Sequence, residues 1–147
     1  MSLRLRLIRK TFAIRLGAPM KETILLLASE PVIRRAIGEA LEARGYCVLQ
    51  AGAIDQAVDF LKSYNPDLLM VRHYTQSMPG HDAAVYLRKI RPGLPVLVVG
   101  GLLNDSGLAD RAAVHEFEIF PKPYNADELV DKVRELLARN PTIAVKV

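Results

Sequence analysis

Asn65-Pro66-Asp67-Leu68-Leu69-Met70-Val71-Arg72 is the stretch on which the reading of this chain turns. Asn65-Pro66-Asp67 breaks whatever helix precedes it, because proline removes a backbone donor and clashes with the preceding turn. The four apolar residues that follow are too short for a helix and show no alternation. That is the pattern of a strand buried on both faces, as in a parallel sheet. Arg72 ends the run with a permanent positive charge.

The same grammar repeats on either side. Upstream, Thr23-Ile24-Leu25-Leu26-Leu27 is a first buried strand, and Pro31 stands at a first helical position. Ile33, Ile37, Ala40 and Leu41 share one face of that helix, which Gly45 ends. Tyr46 to Gln50 is a second strand, and a helix over Ile54 to Tyr64 buries Ala57, Val58 and Leu61. Downstream, Arg72 to His81 reads as a loop, with Asp82 capping a helix that runs to Arg91. Pro92-Gly93 is a turn, Pro95 to Val99 a fourth strand closed by Gly100-Gly101, and a helix is expected near Ser106 to His115. Phe117 to Phe120 is a fifth strand. The last helix, Ala126 to Arg139, turns Leu129, Val133, Leu136 and Leu137 inward before Asn140-Pro141 stops it. Five strands alternating with five helices predict an α/β fold, a doubly wound five-stranded parallel sheet of flavodoxin-like order 2-1-3-4-5 with helices on both faces.

Composition narrows the function classes. The 147 residues are one domain's worth, half of them apolar. Cys47, the lone cysteine, rules out an internal disulfide and reads as a small buried hydrophobe. No apolar stretch approaches the roughly 20 residues that span a bilayer, and a cytoplasmic location is expected. The net charge of +4 is unevenly spread. Residues 1–20 hold Arg4, Arg6, Arg9, Lys10 and Arg15 and no acid, leaving 15 bases and 16 acids in the rest. The folded body is therefore nearly neutral, which argues against nucleic-acid binding by it. The leader is open to two readings: a basic amphipathic helix that meets anionic lipid or a partner, or an addition ahead of a start at Met20. The divisions expected are a leader at 1–20, one domain at 21–139 and a tail at 140–147.

Along residues 21–139 the chain resembles the receiver domain of bacterial response regulators. Ile24 to Arg34 resembles that family's first strand and helix start, and Leu41-Glu42-Ala43-Arg44-Gly45-Tyr46 the end of its first helix. Asn65 to Val71 resembles the third strand, Met78-Pro79-Gly80-His81-Asp82 the loop before the third helix, and Leu94 to Val99 the fourth strand. Phe120-Pro121-Lys122-Pro123-Tyr124 resembles the Lys-Pro-aromatic signature, where the resemblance implies a cis bond between Lys122 and Pro123. It also implies a phosphorylation site at the strand ends: two acids holding Mg²⁺, an aspartate nucleophile, and a Thr/Ser and a Lys on the phosphoryl oxygens. A hard cation needs oxygen ligands, and it neutralises charge during phosphoryl transfer.

Carried over position by position, this chemistry is nearly gone. The two acids are Ala28 and Ser29, with Glu30 the remaining neighbour. Arg72 stands where the nucleophile belongs, Gly100 where the hydroxyl belongs, and Ile119 at the aromatic switch position. Lys122 alone is kept. The loop after Arg72 is about three residues longer than usual, so Thr75 is an alternative alignment to the nucleophile. No Mg²⁺ binding, no other cofactor and no phosphoryl transfer are expected. Arg72 either pairs with Glu30 across the strand ends or extends into solvent.

Two functions from different classes follow. One is a stand-alone, phosphorylation-independent interaction module, degenerate in its phosphorylation pocket. It would contact a signalling protein or a second copy through the face of the fourth helix, fifth strand and fifth helix, a region that includes Ala109, Val114, Phe120, Tyr124 and Val130, some of which must be core. The other is a sensor that holds an anion or phosphorylated small ligand beside Ser29, Arg72, Gly100, Gly101 and Lys122. Enzymatic readings are weaker. His73, His81 and His115 lack metal-ligand spacing, and there is neither a nucleophile elbow nor a Gly-rich phosphate loop. Asp82 and Asp105 read as a helix cap and a solvated turn.

Overall fold

The apolar runs form strands and the 3.6-residue periods form helices. The computed structural model describes residues 22–75, 78–100, 117–120 and 125–139. In chain order these give β1 (Thr23–Leu27), α1 (Pro31–Glu42), β2 (Cys47–Ala51), α2 (Ile54–Ser63), β3 (Leu68–Arg72), α3 (Gly80–Ile90), β4 (Val96–Val99), β5 (Glu118–Phe120) and α4 (Ala126–Arg139). The strands form one parallel sheet in the order β2-β1-β3-β4-β5, as expected. The leader, the helix expected near Ser106 to His115, the Lys122–Pro123 bond and the tail lie outside the described residues.

Strand periodicity splits the core in two. Leu25, Leu27, Leu69, Val71, Val96 and Val98 pack with Ala57 and Leu61 of α2 and Ala83, Ala84 and Leu87 of α3. Their neighbours Ile24, Leu26, Leu68, Met70, Leu97 and Val99 point the other way, onto Ile37 and Leu41 of α1 and Leu129, Val130, Val133, Leu136 and Leu137 of α4. Each fully buried leucine or valine contributes about 2 kcal/mol. The sheet therefore draws most of its burial from the body of its strands. On the second face Arg44 bonds Asp127 at 2.7 Å, tying the end of α1 to the start of α4. Beside them the Tyr46 phenol is raised above the ordinary tyrosine value, by burial first and by the Glu22 carboxylate second.

Three expectations need correction. Cys47 is half-buried, because β2 is an edge strand paired on one side only. Asp82 does not cap α3: that helix begins at Gly80, with Pro79 at the cap position and Asp82 inside the first turn. The reason is contact. A Cβ on Gly80 would lie 1.8 Å from the Arg72 carbonyl oxygen, and the Gly80 N–H donates to the His73 carbonyl at 2.8 Å. Only glycine fits there, and the helix starts where that contact ends. His81, expected at the end of a loop, lies instead inside α3 and is buried, its ring 5.3 Å from that of Phe117.

Candidate functional site

Parallel strands end together, so the carboxyl ends of β1, β3 and β4 meet at one edge of the sheet. Ala28 is buried there. Its N–H donates to the Ala51 carbonyl at 3.0 Å and its own carbonyl accepts from Arg34 Nη1 at 2.7 Å. Ser29 is half-buried, and Glu30 is the cap residue of α1 without a side-chain bond to the helix amides.

Arg72 is the last residue of β3, in register with Val99 of β4, and the His73 N–H continues the ladder to the Val99 carbonyl at 2.8 Å. Its side chain does not extend into solvent. Arg72 is 7% exposed, and its Nη1 donates to Glu30 Oε1 at 3.2 Å. The Glu30 side chain is 67% exposed. A charge-assisted bond of this kind is ordinarily about 2.7–2.9 Å, so this is a loose pair. The Arg72 Nε is buried and has no hydrogen-bond partner among the described residues. Beside the pair lies a cleft of about 470 Å³, with Ser29, Glu30 and Pro31 on one wall and Arg72 through Thr75 on the other.

The loop after β3 folds back as a small hairpin. Tyr74 and Pro79 form an antiparallel bridge, and the Thr75 N–H donates to the Met78 carbonyl at 2.9 Å. Thr75 Oγ1 also donates to that carbonyl, at 2.6 Å. Thr75 is thus buried and engaged three residues beyond the strand end, while Arg72 holds the strand-end position itself. The alternative alignment is not supported.

Gly100 is buried with φ of 91°, a left-handed conformation that strains any residue bearing a Cβ. Its N–H donates to the Phe120 carbonyl at 2.8 Å. The Gly100 amide is thus already engaged within the sheet, which counts against the anion expected beside it. Ile119 is half-buried, opposite Val98 in the β4–β5 ladder, and packs on the α2–α3 side of the core. Val130 is core rather than surface, and Phe120 is half-buried. Gly101, Lys122, Asp105 and His115 lie outside the described residues.

These groups do not fit a hard divalent cation. The Ala28 side chain has no ligand atom and its carbonyl is already taken by Arg34, Ser29 offers a neutral hydroxyl, and the Glu30 carboxylate is already turned to a guanidinium. Among the described residues no three His, Cys, Asp or Glu side chains gather. The sequence reading missed Arg34. It sits in the first turn of α1, where the helix dipole disfavours cations and where no acid stands. That misplaced charge was the available signal: its guanidinium reaches back over Gly52 to the β1 end, where a Cβ on Gly52 would lie 2.7 Å from Arg34 Nη1.

Comparison with known proteins agrees with this fold. The family model of the response regulator receiver domain matches residues 24–134. The "Probable transcriptional regulatory protein TcrX" of Mycobacterium tuberculosis is 30% identical over 126 residues, covering 84% of this chain and 52% of that protein. The sensor kinase CckA of Brucella abortus is 27% identical over 119 residues, 80% of this chain but 13% of the kinase. The chain thus spans about half the length of the first relative and far less of the second. Among solved structures, a CheY-like receiver domain protein from Methanospirillum hungatei JF-1 superposes with a TM-score of 0.73 at 21% identity, over 82% of this chain and 96% of that one. The signal receiver domain of an HD domain-containing protein from Pseudomonas fluorescens Pf-5 gives 0.74 at 21% identity, over 88% and 96%. At that identity the likeness speaks for the fold.

Proposed function

The chain belongs to the response regulator receiver domain family, and from that premise we propose that it is a two-component or phosphorelay signalling module that works by protein–protein contact without being phosphorylated. One observation carries this reading: a buried arginine, paired with Glu30, ends β3 where the family's resemblance puts a nucleophilic aspartate. A guanidinium has no lone pair to offer a phosphodonor and repels the divalent cation such transfer needs. We assign it no catalytic residue and no enzymatic activity.

The proposed partner is a signalling protein or a second copy of this chain, met through β5, α4 and the segment expected as a helix near Ser106 to His115. No nucleic-acid role is proposed for the folded body, and the proposed location is the cytoplasm. No described helix is long and apolar enough to cross a membrane.

The test is a Mg²⁺ titration followed by the amide resonances of residues 28–30 and 72–75, with partner binding measured with and without acetyl phosphate. We expect no saturable Mg²⁺ response, and partner affinity or self-association that ignores the phosphodonor. Saturable Mg²⁺ binding at these amides, or a partner that binds only after phosphodonor treatment, would overturn the reading.

A further inference from the structure

We propose that the outer edge of β2 is a docking site for the amino-terminal segment of this same chain, and that residues 3–7 add to the sheet there as an antiparallel strand. The inference is independent of what happens at the β3 end, and it gives a role to the basic segment that the proposed signalling function leaves unused.

β2 pairs with β1 alone. The Cys47 N–H donates to the Glu22 carbonyl at 2.9 Å and the Ala51 carbonyl accepts from the Ala28 N–H at 3.0 Å. Cys47, Leu49 and Ala51 therefore turn their backbone groups inward, and Val48 and Gln50 turn theirs outward. Among the described residues nothing meets those outward groups. The open stretch ends at Gly52, whose N–H is taken by Gln56 Oε1 at 2.6 Å. Exposed edges are ordinarily blunted by a charge or a proline, and Cys47-Val48-Leu49-Gln50-Ala51 has neither.

The two flanks of that edge differ in chemistry. Toward α2 lies a groove of about 340 Å³ lined by Gln50, Gln56, Asp59, Phe60, Ser63 and Tyr64. In it the half-buried Phe60 and Tyr64 rings stand edge to face, centroids 6.0 Å apart. Toward α1, Val48 packs on that helix's side of the core, and a Cβ on Gly38 would lie 2.5 Å from Gln50 Nε2. Glu42, one turn beyond Gly38 on the same row, and Glu39 are exposed and make no ion pair among the described residues. A strand that fits is apolar on one face and basic on the other, with a period of two. Leu3-Arg4-Leu5-Arg6-Leu7 has that pattern, within a segment, residues 1–20, that holds five bases and no acid. Run antiparallel with Leu5 opposite Leu49, it sets Arg6 across from Val48 and Arg4 across from Gln50. Both arginines then bond the outward backbone groups and carry their charge to the α1 acids, while the leucines face the Phe60–Tyr64 groove. The direction suits the connection, because residue 7 then lies at the amino end of β2, beside the start of β1. Residues 8–20 reach up to about 43 Å, and the distance to cover is two strand spacings, about 10 Å.

Amide hydrogen exchange of the full chain tests this, read at Val48 and Gln50 and accompanied by nuclear Overhauser contacts from the Leu49 α-proton. Wild type is expected to exchange both amides about tenfold more slowly than Leu5→Asp, which sends a carboxylate into the aromatic groove. The Leu5 α-proton should lie against that of Leu49, as an antiparallel pair without mutual hydrogen bonds requires. Reversing the charge with Arg4→Glu and Arg6→Glu together should reduce the protection about threefold. Each substitution lies outside the described fold, so unchanged exchange at Leu25 and Leu69 serves as the folding control. Equal exchange at Val48 and Gln50 in wild type and Leu5→Asp, whether fast or slow, overturns the proposal. So does protection that the double charge reversal leaves intact. Protection that fades on dilution while a dimer mass is lost overturns it too, since the occupant is then a second copy.

Discussion

β3 is bracketed by two buried charges, and they are treated differently. Asp67, just before the strand, is 4% exposed and locked into the sheet: its Oδ2 accepts from the Thr23 N–H at 2.8 Å while its own N–H donates to the Thr23 carbonyl at 2.7 Å. Arg72, at the far end, is 7% exposed, with one loose contact to a solvent-facing carboxylate and a buried nitrogen left over. A buried polar group whose bonds are closed within the fold holds the fold together. A buried charge with a donor left over is not closed within the fold in the same way. The amino end of this sheet is therefore structural, and its carboxyl end is where the family resemblance puts the phosphorylation chemistry.

That contrast can be broken by mutation. The largest effect is expected where the start of α3 lies against the carboxyl end of β3. Gly80→Ala drives a Cβ into the Arg72 carbonyl and should destabilise by about 3 kcal/mol, read as a lowered urea midpoint. Asp67→Ala should cost about 2 kcal/mol by leaving the Thr23 N–H buried without an acceptor. Arg72→Met should be neutral or stabilising by about 1 kcal/mol, because the partner it abandons is already in water. If Arg72→Met instead costs as much as Asp67→Ala, the two ends are alike and Arg72 is a structural residue. The smallest change, within about 0.5 kcal/mol, is expected for Glu30→Gln. A double-mutant cycle on Glu30 and Arg72 with stability as its readout should give coupling of the same small size.

The sheet body was legible because buried parallel strands are continuous apolar runs, and Leu68 to Val71 or Ile24 to Leu27 admit no other reading. Strand order followed from the alternation of strands with helical crossovers. What escaped depends on contacts between residues distant in sequence. Gly80 reads as half of a Pro-Gly turn; that it lies on the Arg72 carbonyl and so sets the start of α3 is visible only in three dimensions. Gly100 reads as the close of the fourth strand; that its amide serves the β5 carbonyl is visible only in three dimensions. Arg72 stood out through the family resemblance alone. Whether it faced Glu30 or water was undecided, because sequence does not give a side chain's direction at a strand end. Arg34 was passed over because a cation in a helix's first turn looks like ordinary surface until its guanidinium is traced to the Ala28 carbonyl.

The most direct test of the account is the intact mass of the protein after incubation with acetyl phosphate and Mg²⁺. The account predicts an unchanged mass, because Arg72 stands where the family resemblance puts the acceptor and the neighbouring side chains do not suit a hard cation. A gain of about 80 Da, one phosphoryl group added covalently, at any residue of the β3 end or its hairpin would contradict it and place a working acceptor beside Arg72.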